Sequence, residues 1–134
     1  MRALAGRYPG VIADVRGRGL MIGVEFHRRD PSPSFLCRFL SSQEDLALLL
    51  TGYLLNVHRI RIAPTLSDRW TLRLEPSALI GDADVAHFLE ALADVCARLA
   101  AEDALGLTRF LGCDVPPPTT HAEDIRSEER RVGK

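Results

Sequence analysis

Apolar positions recur along the chain in two rhythms, and each rhythm predicts a different kind of element. Leu20, Ile22, Val24 and Phe26 alternate with Met21, Gly23 and Glu25, the period of two that marks a half-buried strand. The same alternation runs through Arg59–Ala63 and Trp70–Glu75. Each stretch is closed by a proline, Pro64 or Pro76, which cannot donate the next ladder hydrogen bond. Ser67-Asp68 between them suits a turn, so the pair is expected to form a hairpin. Helical spacing takes over after Asp82: Val85, Phe88, Leu89, Leu92, Val95, Cys96 and Leu99 form an apolar stripe that predicts a long helix through about Ala101. Asp94 and Arg98 on that helix are placed to pair at i,i+4. Arg2–Tyr8 reads as a helix stopped at Pro9-Gly10, and Glu102–Phe110 as a short helix.

A further helix is expected to begin within Ser41-Ser42-Gln43-Glu44-Asp45, after the break at Pro31-Ser32-Pro33. Hydroxyl caps, a Glu three residues after Ser41 and acids near the positive end of the dipole all favour a start there. It would carry Leu46, Leu49, Leu50, Tyr53 and Leu54 and end near Asn56. The elements together predict an α+β domain, a small antiparallel sheet of about three strands with helices packed on one face. Leu20, Ile22, Val24, Ile60, Ile62, Leu72 and Leu74 then point to the core, and Glu25, Arg59, Arg61, Arg73 and Glu75 to the opposite face.

Composition sets limits on this picture. With 134 residues, 46% of them hydrophobic, the chain can bury one core. The predicted domain spans residues 1–111. Residues 112–134 hold Pro116-Pro117-Pro118 and a charged stretch too poor in apolar residues to offset its ordering entropy, and are expected to be a disordered or non-native tail ending in RSEERRVGK. A net charge of −1 with both signs interspersed argues against nucleic-acid binding. No apolar run reaches the roughly 20 residues that cross a bilayer, and the opening MRALAGRYPG lacks the long apolar core expected of a secretion signal. Cys37, Cys96 and Cys113 are odd in number and widely spaced, the pattern of free thiols in a reduced cytoplasmic protein. His27, His58, His87 and His121 are equally scattered, and no metal site is expected.

Among motifs, Gly17-Arg18-Gly19 is similar to part of a nucleotide-binding glycine loop, but Gly23 falls one residue late and the run leads into a strand rather than a helix. It reads as a glycine turn. The longer segment YPGVIADVRGRGLMIGVEF, followed in order by GYLLN, TLRLEPSALI and an acid-capped long helix, resembles the C-terminal small domain of class III (ornithine/acetylornithine-type) PLP-dependent aminotransferases. The likeness covers roughly Leu4 to Leu99, with Ser77 where the family more often has a second proline.

The resemblance implies that Arg73 recognises a substrate carboxylate, that Arg61 in the partial echo IRIAPTL is a second candidate, and that Arg16, Arg18 and Glu75 face a large catalytic domain. A guanidinium suits a carboxylate because it offers two parallel N–H donors. The plainer reading makes Arg73 a solvated strand arginine paired with Glu75 or Glu25. By the same resemblance the parent enzyme is a homodimer that uses pyridoxal 5′-phosphate to move an amino group from an amine or ω-amino acid to a 2-oxo acid. Such chemistry needs a Schiff-base lysine. The only lysine here is Lys134, in the predicted tail and in no family motif. The chain is therefore expected to be a truncated part of the enzyme, without catalytic residues and without a bound cofactor of its own. The alternative is a free-standing, non-catalytic α+β module that senses a ligand or a partner through the outer sheet face.

Overall fold

The computed structural model describes residues 1–30 and 32–112, so most of the predicted tail, with Lys134 and Cys113, lies outside the described residues. Helix α1 (Arg2–Arg7) is anchored by the buried Leu4 and stops at Tyr8, ahead of Pro9. Strand β1 (Ile12–Arg18) runs antiparallel to β2 (Met21–Phe26) through the turn Gly19-Leu20. Gly17 is required here. Its φ is +149°, and a Cβ at that position would lie 2.1 Å from the Met21 carbonyl oxygen.

Helix α2 (Phe35–Ser42) is capped by the Ser34 hydroxyl, which accepts a bond from the Cys37 N–H. Helix α3 (Leu46–His58) carries the buried Leu46, Leu50, Tyr53 and Leu54. The expected start at Ser41 is thus a boundary between two helices. Ser41 belongs to the last turn of α2 and Glu44 sits in the left-handed region at φ +60°, so the predicted capping box does not form. The Ser41 hydroxyl instead accepts the Arg29 N–H at 2.7 Å.

Arg59, also left-handed at φ +60°, ends α3, and residues 59–62 make no strand. Only Ala63–Pro64 pairs, as β3, with β4 (Thr71–Leu74). Proline has no N–H to continue the ladder, so β3 is a stub at the edge. The long helix α4 (Asp82–Ala100) falls where its stripe predicts, with Asp84 accepting the Gly81 N–H at 3.1 Å. Helix α5 (Ala104–Thr108) and a 3-10 turn (Arg109–Leu111) follow.

The sheet has four antiparallel strands in the order β1-β2-β4-β3, one more than the hydrophobic alternation predicts. Val24 and Leu72 face each other across β2 and β4, wholly buried, and join Leu50, Tyr53, Leu54, Leu92, Val95 and Leu99 in one core. Helix α3 is central, touching β3 and β4 as well as α4 and α5. Not every predicted core position is covered: Leu20 is 43% exposed in its turn, and Val85, on the second turn of α4, is 41% exposed.

Candidate functional site

Arg73 stands on the open face of the sheet. Its neighbours Leu72 and Leu74 point to the core side, and the period of two sends Arg73 the other way. In register it lies between Gly23 of β2 and Ala63 of β3, which contribute no side chain and one methyl group. The space over Gly23 is shared by Thr71 and Arg16, whose Cγ2 and Cγ lie 3.2 and 3.7 Å from where a Cβ would stand, while the Ala63 side offers the guanidinium only a methyl group. The one ion pair of Arg73 among the described residues is with Glu75, Nε to Oε2 at 3.4 Å, and both side chains are about half exposed.

Beside it on the same face, Arg16 of β1 is the hub of a second cluster. It donates to Glu25, to Asp14 at 3.2 Å, to Asp68 at 3.5 Å and to the Thr71 hydroxyl at 3.4 Å. The bond to Glu25, followed by that to Asp14, raises the pKa of the guanidinium. Asp68 is lowered, first by the hydrogen bond from Thr71 at 2.5 Å; burial opposes this, and the Trp70 N–H and the charge of Arg16 add to the lowering. Arg16, expected at a domain interface, is occupied by its own sheet. Arg18 is exposed at the hairpin end and has no ion pair among the described residues.

The structure does not bring Arg61 to this face. The expectation that Arg59 and Arg61 share a strand face with Arg73 fails, because residues 59–62 are not extended in the sheet. Both arginines instead border a cleft beside Ile60 and Ile62.

A polar network on the other side of the molecule was not legible in the sequence. Asp94 of α4 accepts from the Tyr53 hydroxyl at 2.5 Å and pairs with His58 Nε2 at 2.9 Å, both on α3. Arg98 bridges Asp94 at 3.1 Å and Asp103 at 2.7 Å, and its guanidinium stacks over the Tyr53 ring at 5.5 Å. Burial, helped by the bond to Asp94, pushes the Tyr53 hydroxyl up to about 12. Burial also acts to raise Asp94, but the bonds from Tyr53 and His58 and the charge of Arg98 together hold it below its ordinary value. His58 is the last residue of α3 and is mostly covered. Only the Asp94–Arg98 spacing signalled this site in advance.

Neither cluster contains a cysteine. Cys37 and Cys96 are buried, and burial pushes the Cys96 thiol up to about 12, far from a reactive thiolate. Among the described residues no group of His, Cys, Asp and Glu could hold a metal ion. No helix among them is long and apolar enough to cross a membrane. Compared with known proteins, the chain matches no family model and no curated sequence.

Proposed function

We propose that the chain acts as the small domain of a class III PLP-dependent aminotransferase, with Arg73 recognising a substrate carboxylate. The observation that carries this reading is an exposed arginine, flanked by Gly23 and Ala63, at the position where the motif TLRLEP has its arginine. The ordered likeness from YPGVIADVRGRGLMIGVEF to the long helix supports it.

Carboxylate capture by Arg73 is cheap in this setting. An exposed ion pair such as Arg73–Glu75 contributes about 0–1 kcal/mol, so an incoming carboxylate can displace Glu75 and take two parallel N–H···O bonds. Arg61 ranks second and would need a separate approach, from the cleft side. The cofactor itself does not fit the described residues: they include no lysine, so no side chain among them can link covalently to pyridoxal phosphate. The proposal therefore assigns amino transfer to a large domain that supplies the lysine, the acid beside the pyridine nitrogen and the dimer contacts.

Sequencing the transcript on the 5′ side of the Met1 codon tests the reading. An in-frame stretch encoding a large domain with a Schiff-base lysine supports it. An in-frame stop codon next to a ribosome-binding site contradicts it and favours the free-standing module. In the assembled enzyme, Arg73→Ala is expected to lower kcat/KM for a carboxylate-bearing substrate roughly 10- to 100-fold, the worth of a charge-assisted hydrogen-bond pair.

A further inference from the structure

A cleft of about 490 Å³ opens between the first turns of α4 and the chain leaving α3, on the side of the sheet opposite Arg73. Its walls are apolar: Ile22 and Leu74 from the sheet, Ile60 from the segment after α3, and Val85 and Phe88 from α4. This explains why the stripe of α4 is buried only from Ala91 onward. Clefts of roughly 300–1,000 Å³ with apolar walls and a few polar groups are the usual form of small-ligand sites.

The charged groups at the cleft decide which ligand suits it. Of the acids, Glu75 is engaged by Arg73 at 3.4 Å and Asp84 by the Gly81 N–H at 3.1 Å. His87 Nε2 is engaged by the His58 carbonyl oxygen at 2.9 Å. Arg59 and Arg61 also line the cleft, and neither has an ion pair among the described residues. The spare charge is positive, beside a large apolar wall.

We propose that this cleft binds a medium-chain aliphatic carboxylate, its chain against Ile60, Val85 and Phe88 and its carboxylate on Arg59 and Arg61. The site is separate from Arg73 and does not depend on the aminotransferase reading. An aliphatic amine would meet two guanidinium groups that have no ion pair among the described residues, and a neutral lipid would leave both of them unmatched.

Titration of the chain with decanoate, followed by amide and side-chain NMR shifts, tests the proposal. Saturable shifts are expected at Ile60, Val85 and Phe88, with affinity falling about tenfold for each pair of methylenes removed from the acid. The Arg59→Gln/Arg61→Gln double variant should bind at least tenfold more weakly, and decanol should bind more weakly than decanoate. Val85→Gln, at an exposed position that leaves the fold intact, should weaken the acid through the wall alone. No saturable shift in these residues, or equal binding of decanol and decanoate, overturns the proposal. So does undiminished binding by the double variant with its wild-type amide spectrum otherwise preserved.

Discussion

The molecule holds two hydrogen-bonded charge clusters in different settings, one centred on an arginine and one on an aspartate. Arg16 collects Asp14, Glu25 and Asp68 on an open sheet face, where its side chain is about half exposed. Asp94 collects Tyr53, His58 and Arg98 at the seam between α3 and α4, where each of its partners is at least three-quarters covered. Water competes for the first set and is largely excluded from the second, so equal numbers of hydrogen bonds do unequal work. The inner cluster ties three helices together, since Arg98 reaches from Asp94 to Asp103, which in turn accepts the Gly106 N–H of α5 at 2.8 Å. The outer one neutralises part of a face and leaves Arg73 with a single exposed pair, to Glu75.

Substitutions can break this contrast. Gly17→Ala should have the largest effect, because the new Cβ meets backbone at 2.1 Å and no side chain can yield. We expect a loss of about 3 kcal/mol in urea unfolding, together with loss of the hairpin that presents Arg16. Asp94→Ala strands the Tyr53 hydroxyl, removes the partner of His58 and leaves Arg98 with Asp103 alone, and should cost about 2 kcal/mol by the same assay. Tyr53→Phe keeps the ring and loses one bond, for about 1 kcal/mol. Arg16→Ala, at the centre of more ion pairs than any of these, should leave the unfolding midpoint almost unmoved.

Titration sharpens the same contrast. The Tyr53 hydroxyl is raised from 10.0 to about 12, so its contribution is complete below pH 10 and disappears as pH rises toward about 12. Tyr53→Phe should flatten that alkaline loss in a series of urea midpoints. Asp94 is shifted the other way: its contribution is present above the ordinary carboxylate range and is lost as pH falls through its lowered folded value. Asp94→Asn should therefore unfold with a shallower acid limb than the wild type.

Alternation and helical spacing foretold β2, β4 and α4 well, because each faces water on one side and core on the other. Trp70–Glu75 was expected and Thr71–Leu74 is found; for α4 the expected and observed ends agree within a residue. Strand β1 escaped notice. It has a bulge between Ile12 and Asp14, which breaks the period of two, and its glycines read as a turn. The Ser41–Asp45 segment has the composition of a helix start and holds one, with Asp45 the N-cap of α3, but Ser41 itself closes α2, accepts the Arg29 N–H, and is followed by a left-handed Glu44. Arg59-Ile60-Arg61-Ile62 alternates without being a strand, because the left-handed turn at Arg59 and Pro64 leave room for a two-residue β3 only. At the site, the outward position of Arg73 was legible from parity alone. The Asp94 network was not, since it joins residues of three helices that no local pattern connects.

Strand β4 alternates between core and open face one residue at a time, with Leu72 inside and Arg73 outside. Paired urea unfolding of Leu72→Ala and Arg73→Ala tests it most directly. We predict a loss of about 3 kcal/mol for Leu72→Ala, as for a fully buried leucine, and less than about 1 kcal/mol for Arg73→Ala. Equal losses for the two would contradict the account, because the Arg73 guanidinium would then belong to the scaffold rather than to the open face.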